Sequence, residues 1–287
     1  MKLLQFSYDT DFKAGDIVKD MPNKLYHAHN SISKSGLDLI ARSPAHYLYR
    51  EPSTNTRFMQ IGTAIHCAIL EPDRFKDEYI LLIDANDRRS PEYQAAKKEH
   101  GEEFVLVSHE VENVLGMQAS VYANPVAKKW LDLPSEKELS IFAKDPETGV
   151  TVRIRPDILT ACGSIVDLKK TQDARPREFS KSIYNYRYHV QVAFYLDVYK
   201  WVTGDECQSF RFLAVEEKRP YSSMVYMLDD LAIDEGRKLY REALNVYADC
   251  LEKNQWPSYL CADDEIVSLP DWEVRRLENE LLEELIF

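Results

Sequence analysis

Val152-Arg153-Ile154-Arg155-Pro156-Asp157-Ile158-Leu159-Thr160-Ala161-Cys162-Gly163-Ser164-Ile165-Val166-Asp167-Leu168-Lys169-Lys170 is the stretch on which the reading of this chain turns. Two runs rich in β-branched residues flank the small residues Ala161 to Ser164, the pattern of a strand, a tight connection and a second strand. On this reading Asp157 closes the first strand and Asp167 lies within the second. Lys169 follows Asp167 by two positions, so both side chains leave one face while Val166 and Leu168 turn to the other. Two carboxylates and an ammonium beside an otherwise apolar hairpin cost free energy unless something binds there. A divalent cation on the carboxylates offsets that cost, and the lysine can then stabilise charge on a phosphate or orient a water. The plainer alternative is a solvated hairpin edge carrying an Asp–Lys pair, the usual meaning of an isolated Asp-x-Lys.

Pro156-Asp157 followed by Asp167-Leu168-Lys169 resembles the PD-(D/E)xK signature of the restriction-endonuclease-like nucleases. Gly62-Thr63-Ala64-Ile65-His66 is similar to the G-x-x-x-H helix of RecB-type nucleases. Glu138 stands where such enzymes often carry an upstream acid, and Tyr188-His189-Val190-Gln191-Val192-Ala193-Phe194-Tyr195 resembles their Q-x-x-x-Y helix. The order of these motifs is similar to that of the RecE-type exonuclease domain of phages and prophages (exodeoxyribonuclease VIII). The resemblance implies an α/β fold with a restriction-endonuclease-like core, a central mixed sheet flanked by helices. It implies hydrolysis of DNA phosphodiesters with Mg²⁺, or Mn²⁺, as cofactor. The implied metal ligands are Asp157, Asp167 and His66, with Glu138 as a helper and Lys169 positioning the attacking water and stabilising developing charge. Gln191 and Tyr195 would hold the substrate phosphate, with Tyr188 and Arg187 beside them. The resemblance further implies 5′-to-3′ digestion of double-stranded DNA ends in phage-type recombination. It also implies a homo-oligomer such as a tetrameric ring, and a RecT-like single-strand annealing protein as partner.

Read without the resemblance, these residues leave alternatives open. His66 shares a helix face with Gly62 and Ile69, and a lone histidine there can be a satisfied packing residue. Glu138 can be a solvated strand-end acid, with Glu136 as competitor. Gln191 and Tyr195 are four apart and hence neighbours on one helix face, which alone means little. Tyr184, Tyr186, Arg187 and Tyr188 form an aromatic–basic cluster that can stack bases, clamp phosphates or simply pack.

The 287 residues suffice for one large domain with a real core. The expected organisation is an N-terminal arm over 1–30, loose or forming an added strand, then a single nuclease domain over 31–287. That domain has a helical N-terminal elaboration and an acidic C-terminal helix. No stretch approaches the roughly 20 apolar residues of a membrane span. The start Met1-Lys2-Leu3-Leu4-Gln5-Phe6 lacks the pattern of a secretory signal, so a cytoplasmic location is expected. Cys67, Cys162, Cys207, Cys250 and Cys261 are scattered without a C-x-x-C, which suggests neither a disulfide framework nor a zinc or iron–sulfur site.

The net charge of −12 counts against a nucleic-acid binder. The distribution softens this. Lys144 to Val190 carries nine Lys/Arg against six Asp/Glu, whereas Asp263 to Phe287 carries nine acids against Arg275 and Arg276. A basic site in an acidic body suits an enzyme gripping DNA in a confined groove. Two rivals remain: an endonuclease on the same core, and a non-catalytic acidic interaction or inhibitor protein that mimics DNA.

Along the chain, Ser33 or Ser35 is expected to cap a helix to about Tyr49, with Pro44 kinking or splitting it. Helices are predicted from Arg57 to Leu70, after Pro91, from Ser108 as cap, after Pro176 and from Asp230 to Leu251. Strands are predicted from Glu138, at Val150 to Leu159, at Cys207 to Val215 and at Met224 to Leu228, and a last helix follows Pro270.

Overall fold

Pro156 breaks what the sequence reads as one strand into two. In this computed structural model, which describes residues 3–51, 55–259, 264 and 266–284, the strands follow in chain order. They are β1 (Leu3–Gln5), β2 (Ile17–Lys19), β3 (Ile80–Leu82), β4 (Val105–Val107), β5 (Ser135–Lys137) and β6 (Ser140–Lys144), then β7 (Thr151–Ile154), β8 (Ile158–Thr160), β9 (Ser164–Thr171), β10 (Ser209–Glu216) and β11 (Ser223–Tyr226). A five-stranded mixed sheet has the order β11-β10-β9-β8-β5, with β9 and β10 parallel and the other pairs antiparallel. A four-stranded sheet has the order β1-β2-β6-β7, and β3 and β4 form a small parallel pair.

The two larger sheets share one bent ribbon. β6 and β7 pair in the four-stranded sheet, while their continuations β5 and β8 pair in the five-stranded one. The bend falls at Glu138 on one side and Asp157 on the other, where the Glu138 N–H donates to the Asp157 carbonyl at 3.2 Å. Pro156 supplies no N–H to a ladder and restricts Arg155 before it, so the strand cannot run straight through. Opposite it, Glu138 takes a φ of 49°, in the left-handed region that a non-glycine residue enters at a cost. Glu138 is therefore a corner between two strands rather than the start of one.

β9 is covered on both faces, as a strand with a parallel neighbour requires. Ile165 packs with Val190, Phe194 and Phe212 under the helix Tyr188–Thr203, which is backed by the helix Asp230–Lys253. Val166 and Leu168 turn the other way, into a second core with Ile65, Ile69, Val114 and Met117 from the helices Arg57–Leu70 and Ser108–Ala123.

The N-terminal segment is laid onto the sheet rather than loose. β2 pairs with β6, and Phe12, Val18, Met21 and Tyr26 pack on Phe142. The helix expected to run to Tyr49 is split into Lys34–Arg42 and Pro44–Leu48, with Ser43 accepting the His46 N–H between them. Ser108 begins its helix without capping it; the Glu110 carboxylate accepts the Val107 N–H instead, at 3.1 Å. The last helix, Asp271–Glu284, leaves Trp272, Leu281 and Leu282 exposed. Cys67, Cys162, Cys207 and Cys250 are free thiols, and Cys261 lies outside the described residues. Among the described residues no helix is long and apolar enough to cross a membrane.

Candidate active site

The corner of the ribbon delivers two acids to one place. Asp157, 9% exposed, accepts the Leu168 N–H on Oδ2 at 2.7 Å, which ties the corner to β9. His66, two-thirds of the way along the helix Arg57–Leu70, brings Nδ1 to 3.5 Å from the same oxygen. One ligand atom each from His66, Glu138 and Asp157 lie within 4.8 Å of one another. Burial pushes the Glu138 carboxyl up to about 8, and the facing Asp157 adds to this. Burial likewise pushes Asp157 up to about 6, against the opposing pull of His66 and with help from Asp167.

Asp167 and Lys169 stand beside this trio on β9. Asp167 accepts the Gln191 side-chain amide on Oδ1 at 2.6 Å. Its Oδ2 forms an ion pair with Lys169 Nζ at 2.5 Å but receives no well-aligned hydrogen bond. Burial works to lower the Lys169 pKa, but the negative charges of Asp167 and Asp157 outweigh it and hold the ammonium above its ordinary range. Lys169 Nζ also lies 4.8 Å from the centre of the Tyr188 ring, which is stacked on Tyr186.

His66, Glu138 and Asp157 converge at the corner, and Asp167, expected as a metal ligand with His66 and Asp157, stands beside them with its Oδ1 on Gln191 and its Oδ2 short of an aligned donor. Glu136, the competitor of Glu138, is turned away in an ion pair with Lys19 at 2.7 Å. The residues expected on the substrate phosphate make contacts within the fold: the Gln191 amide donates to Asp167, the half-buried Tyr195 hydroxyl donates to the Arg155 carbonyl at 3.5 Å, and Arg187 pairs with Asp38 at 2.8 Å. Gln191→Leu is expected to lower kcat about tenfold with KM little changed, as loss of a group behind a reacting carboxylate does. Steady-state kinetics on linear DNA read this split, and a raised KM with unchanged kcat would instead support the expected phosphate role.

The sequence reading missed Arg155. Its guanidinium reaches Ser140 Oγ (3.1 Å), the Met21 carbonyl (2.9 Å) and the Tyr26 ring (4.0 Å), and its charge opposes the rise in the Glu138 pKa. Its position directly before Pro156-Asp157 was the available signal. Lys34 was missed as well; it pairs with Asp38 at 2.7 Å and donates to the Tyr186 carbonyl at 2.8 Å, behind Lys169. No spacing rule points to it.

The donor set fits a divalent cation. A buried and a half-buried carboxyl that resist ionisation face each other beside an imidazole, and a hard cation on their oxygens would remove that resistance. His66, Glu138 and Asp157 are the residues that would hold it.

A bent hairpin bearing Pro-Asp and Asp-x-Lys, on a mixed sheet between helices, defines a restriction-endonuclease-like PD-(D/E)xK fold. The chain belongs to the family described as PDDEXK-like domain of unknown function (DUF3799), whose model matches residues 33–269. No curated protein sequence matches it. Among solved structures it is similar to the "Putative exonuclease" of Eubacterium rectale, with 13% identity and a TM-score of 0.59 over 88% of this chain and 96% of that one. A phage-related exonuclease from Haemophilus somnus 129PT aligns with 14% identity and a TM-score of 0.35 over 80% of this chain and 100% of that one. The chain is thus a nuclease-type domain with an acidic site fit for a divalent metal.

Proposed function

We propose that this protein is a divalent-metal-dependent exodeoxyribonuclease that degrades double-stranded DNA from its ends. The observation that carries the nuclease reading is the convergence of His66, Glu138 and Asp157 at the ribbon corner with Lys169 alongside. The exonuclease reading is supported by the motif order and by the names of the structural relatives. When bound, a divalent ion supplies Lewis-acid charge at the scissile phosphate and makes the attacking water more acidic. The chain's own residues do the rest. Lys169 remains an ammonium at neutral pH, so it acts through charge and hydrogen bonding toward the water and phosphate oxygens rather than as a proton acceptor. Gln191 fixes the rotamer of Asp167, which in turn fixes the Lys169 ammonium. Mg²⁺ is the proposed ion, 5′-to-3′ the proposed direction and recombination the proposed setting. A ring-shaped homo-oligomer and a single-strand annealing partner belong to the same proposal and rest on the sequence resemblance.

The test is release of nucleotides from linear duplex labelled at one 5′ end, with Mg²⁺ or Mn²⁺, beside closed circular DNA and a Lys169→Ala protein. Early release of label from linear DNA, intact circles and loss of activity in the variant are expected. Cut circles would make the protein an endonuclease on the same core. A folded protein that cleaves neither substrate with either metal would end the enzyme reading in favour of an acidic interaction protein.

A further inference from the structure

Four glycines lie within helices among the described residues: Gly36, Gly62, Gly116 and Gly236. A glycine there is costly, since it adds backbone entropy without a side chain to pack. Three of the four have a packing reason. A Cβ on Gly36 would come within 2.8 Å of Ile32, one on Gly116 would overlap the Tyr221 ring, and one on Gly236 would overlap the His189 carbonyl. Gly62 has none, for a Cβ built there meets no described atom within 4 Å.

Its position is not arbitrary. Phe58, Gly62 and His66 are spaced by four residues and so form a stripe along one side of the helix Arg57–Leu70, about 12 Å long. His66 at one end faces Asp157. Phe58 at the other end is 65% exposed, so its ring face is open to a ligand. The Lys170 ammonium stands 3.5 Å from its centre, so this end of the stripe runs beside the C-terminal end of β9. The stripe therefore offers a metal-type donor, then a turn of bare backbone, then an accessible aromatic face with a cation against it.

We infer that this stripe is the track of a single DNA strand. Its sugar–phosphate backbone crosses the helix at Gly62, where only a missing side chain leaves room, and a base stacks on Phe58. Stacking of that kind does not depend on which base is present, as digestion through any sequence requires. The inference rests on the proposed nuclease reading and names the element that receives the strand.

The test uses Gly62→Ala in the full chain, because alanine meets nothing in the metal-free fold. It is expected to raise the melting temperature by about 2 °C through helix propensity. The same change is expected to raise KM for DNA about tenfold and to weaken binding of a fluorescent single strand in EDTA by a similar factor. Phe58→Leu, which keeps an apolar side chain but removes the ring, is expected to weaken strand binding without a matching loss of stability. A Gly62→Ala protein with unchanged KM and strand affinity would overturn the inference while leaving the nuclease reading intact, and so would a wild-type protein that binds no single strand. Wild-type protein that binds the strand through Gly62 but never cleaves would uphold the inference and sink the nuclease reading.

Discussion

Asp157→Asn is expected to remove nearly all nuclease activity, about a thousandfold, while making the metal-free protein more stable. The asparagine oxygen can still accept the Leu168 N–H now made to Asp157 Oδ2, so the tie between the ribbon corner and β9 survives. What disappears is a charge in a buried place. The Asp157 carboxyl, with an ordinary value of 3.8 and raised to about 6, resists ionisation in the fold. At pH 8 its ionised form costs stability on the order of 2 kcal/mol, discounted for its coupling to Glu138. Thermal melts in EDTA should show the variant a few degrees above wild type, and nucleotide release with Mg²⁺ should fall to background. A variant that loses stability in EDTA would mean that Asp157 serves the fold rather than a ligand.

Metal binding should displace protons from the same pair of acids. Near pH 7 the pair, with Glu138 raised to about 8 and Asp157 to about 6, holds about one proton between its two carboxyls. The affinity for Mg²⁺ or Mn²⁺ should therefore rise about tenfold per pH unit between pH 6 and 8 and level off above. Calorimetry in two buffers of different ionisation heat should count about one proton released per ion at pH 7. Stability without metal should move the other way. The folded state keeps protons that the unfolded chain has already lost, so the free energy of unfolding falls as pH rises from the ordinary carboxyl range toward 8. Glu138→Gln should flatten both slopes. A metal affinity independent of pH across this window would show that these carboxyls are not the ligands.

Much of this arrangement is legible in the sequence because it follows the two periods of secondary structure. Alternation along 164–171 gives β9 and puts Asp167 with Lys169, and the four-residue spacing gives His66 its helix face. Other features depend on contacts that no local pattern encodes. The apolar run through 150–159 reads as continuous, and only Pro156 hints that it changes sheets; that change is what brings Glu138 up to Asp157 and His66. Gln191 and Tyr195 are correctly neighbours, but whether they look outward to a ligand or inward to Asp167 and Arg155 depends on how the helix is rolled against β9. The β3–β4 pair was invisible at 80–82 because three residues carry too little periodicity to be read.

Arg153 and Arg155 bear on how portable this site is. Arg153 reaches the carbonyls of His27, His29 and Ser31, and Arg155 reaches the carbonyl of Met21 and Asn23 Oδ1. A fragment beginning where the family match begins, at residue 33, would strip the Arg153 guanidinium of these acceptors and leave Arg155, next to Pro156-Asp157, with Ser140 alone. It would also uncover Phe142 and the edge of β6. The matched stretch is thus shorter than the piece that must be moved intact for the acids to stay in register. In any transplant or minimal version, the ribbon corner travels only together with the chain from Ile17 onward.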